Sequence, residues 1–331
     1  MFKNKTILIT GGTGFLGLVL TKAILKENPK SIRLFSRDEV KHYKAQETLK
    51  NSKIRNFIGD VRDYLRLVKA TRQADIVIHA AALKRIDLLE YNVEESIKTN
   101  IVGTLNIVNA CLENEVEKAV FISSDKACSP VNTYGACKFI SERIFSETNY
   151  SKGNIKTIFT SVRYGNVAES TGSVIPLFIS KINNHEAIPL TDPRMTRFII
   201  TPRQVSELIF NAIRYCHGGE IFVPKLSSLK MVDLIEILKK EFQAKNKIKI
   251  VGIRPGEKIH ELMINESEIP RTVKLKNFYI INSSIGKTHR GRQPARFKQA
   301  KKIKLMTEYS SKDYLISKTK LKKLFQQLKL I

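Results

Sequence analysis

Residues 5–25 read KTILITGGTGFLGLVLTKAIL, and this stretch decides the fold. Thr6–Thr10 is a short β-rich apolar run, Gly11, Gly14 and Gly17 have the spacing of a nucleotide-binding turn, and residues 18–25 continue with helical apolar periodicity. Glycines permit a tight turn and the close approach of backbone to a pyrophosphate, while the N-terminus of the next helix offers free N–H groups and a favourable dipole. Gly11, Thr13, Gly14, Phe15, Leu16 and Gly17 are therefore candidate cofactor contacts.

Working outward, residues 31–35 predict a second strand that ends in Ser36 and Arg37. An acid at that strand end bonds the adenosine ribose hydroxyls and disfavours a 2′-phosphate; a Ser-Arg pair does the reverse, which points to NADP. A solvated Arg37 is the alternative, with Asp38 and Glu39 beside it. Residues 56–58 run into Gly59, Asp60 and Val61, where Asp60 is suited to the adenine amine. Residues 75–78 run into His79, Ala80, Ala81 and Ala82, whose small side chains let a cofactor lie against the backbone. His79 reads as a packed core residue, and Lys84 as either a site residue or a solvated lysine.

Residues 123–138 read SSDKACSPVNTYGACK. A helix begun after Pro130 sets Tyr134 and Lys138 on one face, one turn apart, where the ammonium lowers the pKa of the phenol. A phenol so tuned takes a hydroxyl proton. Ser124, Asp125 and Lys126 follow the apolar run KAVFIS and sit at the C-terminal end of a buried strand, facing that helix.

The alternation of β-rich runs, including 118–123 and 155–162, with helical patterns such as 204–215 predicts an α/β fold: a Rossmann-like doubly wound parallel sheet with a smaller C-terminal lobe. Residues 1–164 and 196–226 are expected to form the nucleotide-binding domain, and 165–195 with 227–331 the substrate lobe. A chain of 331 residues, 42% of them hydrophobic, has enough apolar surface for both. With no long apolar run and no leader-like start, a cytoplasmic chain without membrane insertion is expected. Cys111, Cys128, Cys137 and Cys216 lack paired-ligand spacing and read as reduced thiols, with no metal site. The formal charge of +26 suits anionic partners. Its densest cluster, KTHRGRQPARFKQAKKIK at 287–304, is interrupted only by Phe297, so it reads as a solvated or subunit-contact segment and not a nucleic-acid-binding one.

GGTGFLG, HAAALKRIDLLEYN, IKTNIVGT, SSDKACSPVNTYGACK, VRYGNV, GSVIPLF, DPRMTRF, EIFVPK and IRPGEKIHE, in this order, resemble the extended short-chain dehydrogenase/reductase superfamily. Within it they resemble the C5-inverting UDP-N-acetylglucosamine 4,6-dehydratases of bacterial polysaccharide biosynthesis and flagellin glycosylation. SDKA followed by YGACK is the specific mark, since sugar nucleotide epimerases lack the Asp-Lys pair and dTDP-glucose dehydratases carry Asp-Glu there. Two departures stand out: Glu169 occupies a position where the family has glycine, and ESEIPRTV replaces an Asp-Ala-Arg run. The resemblance implies a homo-oligomeric, NADP-dependent lyase acting on a UDP-sugar. It implies that Lys84, Asn166, Ser173, Val174, Arg197, Arg254 and Glu257 hold the substrate. In the implied chemistry Tyr134, with Lys138 and Ser124, takes the C4 hydroxyl proton during oxidation; a neutral Lys126 takes the C5 proton; a protonated Asp125 donates to the departing C6 hydroxyl; and hydride returns to C6. A UDP-sugar 4-epimerase, a non-catalytic NADP-binding protein and a basic nucleic-acid-associated protein are the alternatives.

Overall fold

β1 (Thr6–Thr10) is buried along its whole length, as a strand covered by helices on both faces must be. In the computed structural model, which describes residues 1–169, 174–285, 297, 300–303, 307–328 and 330, β1 lies third from one edge of a ten-stranded sheet. β2 (Ser31–Ser36) and β3 (Ile54–Ile58) extend it on one side. β4 (Ile76–His79), β5 (Lys118–Ile122) and β6 (Ile158–Val162) extend it on the other, all parallel. The order β3-β2-β1-β4-β5-β6 is doubly wound, and it reverses direction between β1 and β4, where such sheets bind ligands. Ile7 and Ile9 pack into one core cluster with Leu20 and Ile24, while Leu8 packs into another with Phe35, Leu67 and Ile107. Alternate residues of one strand thus serve opposite faces.

Beyond β6 the sheet adds Ile221–Pro224 in parallel, then Phe278–Ile281, Thr272–Leu275 and Lys301–Lys302 in antiparallel pairing. These last strands correct the expectation that all of 227–331 belongs to the lobe. Phe278–Ile281 is buried at every position and needs cover on both faces. Thr196–Ile200, expected in the nucleotide-binding domain, pairs instead with Asn166–Val167 and Ser228–Lys230 in a small separate sheet. The lobe has its own core, built from Ile175, Phe178, Leu234, Ile235, Leu321 and Phe325. The last two come from the C-terminal helix Lys318–Gln327. The basic segment 287–304 lies largely outside the described residues.

Candidate active site

The expected cofactor contacts converge on one cleft of about 550 Å³ at the carboxyl ends of β1 to β5. Gly11 has φ +67°, and a Cβ there would lie 3.0 Å from the amide of Ala81, so glycine is required for the β1 turn and the β4 loop to touch. Gly14 begins the helix Phe15–Leu25 without a side-chain cap, which leaves first-turn N–H groups of Phe15, Leu16 and Gly17 to a ligand. Thr13 hydrogen-bonds Ser36 (2.7 Å), and His42 Nε2 holds the same Ser36 hydroxyl at 3.0 Å. Arg37, half exposed, pairs with Asp60 at 3.6 Å; Lys41, which the sequence did not single out, also lines the cleft. Asp60 is gripped by Arg62 through Nε and Nη2 (3.0 and 2.7 Å). Burial raises the Asp60 pKa, but Arg62 and Arg37 outweigh it and bring it below the usual range. The adenine contact expected of Asp60 therefore competes with an ion pair.

Val61, Ala80, Ala81, Ala82 and Lys84 also line the cleft, Lys84 with an exposed side chain. Thr99 Oγ1 and Ser123 Oγ face it, buried and without a hydrogen-bond partner among the described residues. A polar ligand such as a dinucleotide fits these orphaned groups together with the glycine cradle. Thr99 sits in the π-helical turn Ile97–Val102. From the same turn Asn100 accepts from the Leu83 amide (2.8 Å) and donates to its carbonyl (3.0 Å), fixing the loop after Ala82. His79 is buried between Thr10 (2.7 Å) and Thr104 (3.1 Å). Burial, aided by Lys138, lowers its pKa to about 3, so it is the neutral core residue expected.

β5 runs into Ser123 and Ser124, and Asp125–Ala127 forms a 3-10 turn capped by the Ser124 hydroxyl. The helix Thr133–Ser151 begins at Asn132, whose Oδ1 accepts from the Gly135 amide at 2.7 Å. A Cβ on Gly135 would come within 2.4 Å of the Lys126 carbonyl, so helix and turn are in direct contact. Ser124, Asp125, Lys126, Tyr134 and Lys138 thus share the cleft.

The electrostatics differ from the expectation in two ways. Lys138 Nζ donates to the Ile122 carbonyl (2.7 Å) and stands 5.9 Å from the Tyr134 ring; burial lowers its pKa to about 7. Burial pushes the Tyr134 phenol up to about 12, against lowering by Lys126 and Ser124. Lys126, which the sequence did not pair with the phenol, therefore also acts on it. Secondly, Lys126 Nζ lies 3.1 Å from Asp125 Oδ1 and 3.4 Å from Glu261 Oε1. Burial favours a neutral amine, but the two carboxylates outweigh it and raise the pKa, so Lys126 is an ammonium and not the neutral base expected. Asp125 is 1% exposed, and burial raises its pKa against the pull of Lys126, in line with an acid. Glu261 was not anticipated. It ends the quoted run IRPGEKIHE, but no spacing ties position 261 to position 126.

A second pocket of about 200 Å³ adjoins the first, Asn166 and Val167 lining both. Val174, Arg197, Arg254 and Glu257 line this second pocket, while Ser173 lies outside the described residues. Arg197 Nη1 donates to the carbonyls of Thr196 (2.8 Å) and Ile259 (3.1 Å), leaving the rest of its fork toward Glu261 and the pocket. Lys258 Nζ donates to the Cys128 carbonyl (2.6 Å) and Asn132 Nδ2 to the Gly256 carbonyl (2.7 Å), so the GEK motif is docked on the catalytic loop. The Cys128 and Cys137 thiols are buried, and burial raises both pKa values, that of Cys128 to about 12, which suits packed and unreactive groups.

Residues 7–283 match the polysaccharide biosynthesis protein family. The chain is 45% identical over 287 residues to UDP-N-acetylglucosamine 4,6-dehydratase (inverting) of Campylobacter jejuni subsp. jejuni, covering 86% of this chain and 85% of that one. It is 40% identical over 285 residues to UDP-glucose 4-epimerase of Rickettsia bellii, covering 85% and 84%. The X-ray structure of Pen from Bacillus thuringiensis superposes with a TM-score of 0.93 at 39% identity, covering 100% of this chain and 99% of that one.

Proposed function

This chain belongs to the polysaccharide biosynthesis protein family, and we propose that it is a UDP-N-acetylglucosamine 4,6-dehydratase of the C5-inverting kind, an NADP-dependent lyase. The observation that carries the reading is the pair of buried Asp125 and partly buried Lys126 beside Tyr134. Oxidation at C4 needs only a phenol and a hydride acceptor, whereas removing water across C5 and C6 needs a further base and a further acid. The dehydratase of Campylobacter jejuni is among the relatives that support it.

A nicotinamide cofactor, when bound, supplies the acceptance of hydride from C4 and its return to C6. The Gly11 turn and the uncapped helix start would hold the pyrophosphate, and Ser36, Arg37 and Lys41 around the end of β2 favour a 2′-phosphate, hence NADP. Arg197, Arg254, Asn166, Val174 and Glu257 support a UDP site in the second pocket, with Ser173 next to Val174 in sequence. In its ionised form Tyr134 takes the C4 hydroxyl proton at Oη, oriented by Ser124. The resulting ketone acidifies C5–H; Lys126, once its ammonium has given up a proton, takes the C5 proton as the amine, and the Asp125 carboxylic acid protonates the leaving C6 oxygen. Within this reading the chain is a cytoplasmic homo-oligomer. Exposed Val93, Ile97, Leu105 and Ile140 on neighbouring helices, with exposed Tyr91 in the turn before Val93, support a subunit contact, and four buried free thiols support a reducing compartment. Among the described residues no helix is long and apolar enough to cross a membrane.

The Rickettsia bellii relative favours a second reading, UDP-sugar 4-epimerisation, which would leave the C6 oxygen in place. Incubation with UDP-N-acetylglucosamine separates the two. The dehydratase yields a nucleotide sugar lighter by one water in the mass spectrum, and an epimer of unchanged mass would overturn it.

A further inference from the structure

Glu261 is 3% exposed, and its backbone is fixed at both ends by Ser311: its amide donates to Ser311 Oγ (2.9 Å) and its carbonyl accepts from the Ser311 amide (2.8 Å). Its Oε1 lies 3.4 Å from Lys126 Nζ and 3.7 Å from Arg197 Nε. Its Oε2 is buried without a partner among the described residues. A carboxylate serving only as an ion-pair anchor would engage both oxygens; this one keeps an open position for a proton beside the lysine that must lose one. We infer that Glu261 is the positioning residue that accepts the proton of the Lys126 ammonium and so frees the amine to act on C5, a role that rests on the dehydratase reading.

The charged and titratable groups around the pair are Asp125 from the same turn, Tyr134 from the catalytic helix, Arg197 from Thr196–Ile200 and Lys258 from the GEK motif. Burial alone would raise the pKa of Glu261; Lys126, Arg197 and Lys258 hold it down, so Glu261 is ionised at rest while Asp125 is the carboxylate suited to carry a proton. Arg197 also lines the substrate pocket. An anionic substrate that draws on the Arg197 charge weakens its hold on Glu261 and makes that carboxylate a better acceptor. The transfer then balances. The N–H bond of the Lys126 ammonium breaks and an O–H bond forms on Glu261. The Lys126 lone pair takes the C5 proton, the C5–H electron pair becomes the C5=C6 bond, and the C6–O bond breaks as the Asp125 proton leaves in water. Lys126 ends as an ammonium, Glu261 neutral and Asp125 ionised, with no redox change in the step.

The test compares unmutated protein, Glu261→Gln and Glu261→Asp, each as purified with its cofactor, on UDP-N-acetylglucosamine in deuterated water. Nicotinamide absorbance, deuterium at C5 and loss of water are followed across pH. Glu261→Gln is expected to keep cofactor reduction while slowing C5 labelling and water loss about 10- to 100-fold at neutral pH. Its residual rate should rise with pH, because Lys126 must then release its proton to solvent. Glu261→Asp, which retains an acceptor, should recover most of the rate and the shape of the unmutated profile. An unchanged rate and profile in Glu261→Gln, or equal slowing of cofactor reduction and elimination in both variants, overturns the role. If Glu261→Gln does not fold, Glu261→Ala takes its place: slowed C5 labelling with normal cofactor reduction and a rate that rises with pH support the role, and uniform or no slowing overturns it. If the unmutated protein releases no water, the dehydratase reading itself falls and the role with it.

Discussion

At Lys126 burial and its neighbours oppose each other: desolvation asks for a neutral amine, while the Asp125 carboxyl oxygen at 3.1 Å and the ionised Glu261 at 3.4 Å favour an ammonium, and the neighbours win. Lys126→Met removes the proposed C5 base but leaves Tyr134, Lys138 and Ser124 in place. Cofactor reduction on adding UDP-N-acetylglucosamine should persist, with C5 deuteration and water loss falling roughly 10²-fold or more. Tyr134→Phe should abolish both stages, since no group then takes the C4 hydroxyl proton. Normal C5 labelling by Lys126→Met would remove Lys126 from that role. In the proposed reading Arg37 would carry a preference for NADP. Its guanidinium is half exposed with Asp60 as its ion-pair partner, and a charge-assisted bond to a 2′-phosphate contributes about 1.5–3 kcal/mol. Arg37→Asp should weaken NADPH binding by about 10- to 100-fold and leave NADH binding nearly unchanged, as read by a fluorescence titration. Equal affinity of the unmutated protein for both cofactors would contradict the assignment.

Between elements, Gly135 sets the distance from the catalytic helix to the Asp125–Ala127 turn. A methyl group there meets the Lys126 carbonyl at 2.4 Å, and backbone cannot yield as a flexible side chain does. Gly135→Ala should cost about 1–3 kcal/mol in urea unfolding and, by moving Tyr134 relative to Lys126, lower kcat by about 10²-fold. A variant as active as the parent would mean that the contact relaxes freely. His79 joins β4 to β1 and to the helix Gly103–Glu113 through Thr10 and Thr104. Its folded pKa of about 3 lies below the unfolded value near 6.5. The stabilisation from the neutral ring is therefore present above pH 6.5 and is lost as pH falls toward 3, by up to about 1.4 kcal/mol per unit. Urea midpoints should drop over that window, and His79→Gln should flatten this part of the slope. An identical slope in the variant would assign the acid sensitivity to other groups.

Across the whole molecule, Arg163 ties the sheet, the catalytic helix and the segment Glu266–Arg271 into one body. It is fully buried, and its five N–H groups are all used: Glu142 at 3.0 and 2.6 Å, Glu268 at 2.8 and 3.0 Å, and the Met263 carbonyl at 2.8 Å. Arg163→Met leaves the buried Glu142 carboxylate without a counter-charge and Glu268 with only Arg271 at 3.5 Å, and should lower stability by about 3–5 kcal/mol in chemical denaturation. Arg163→Lys should recover little of that loss, because an ammonium cannot bridge two carboxylates by forks. An unaltered midpoint in either variant would mean that the triad contributes nothing net.

The division between sequence and structure follows the range of the forces involved. The doubly wound sheet, the glycine turn, the helix after Pro130 and the juxtaposition of Tyr134 with Lys138 were legible because they depend on neighbours one strand or one turn away, where periods of 2 and 3.6 residues leave a pattern. Ser124, Asp125 and Lys126 were legible for the same reason, as the end of an apolar run. The attachment of Phe278–Ile281 to the main sheet, the use of Glu268 by Arg163, the grip of Arg62 on Asp60 and the place of Glu261 beside Lys126 were not. Nor was the charge state of Lys126, which Asp125 and Glu261 set against burial. Coulomb forces and strand pairing act through space between residues that folding alone brings together, and no local period records which residues those are.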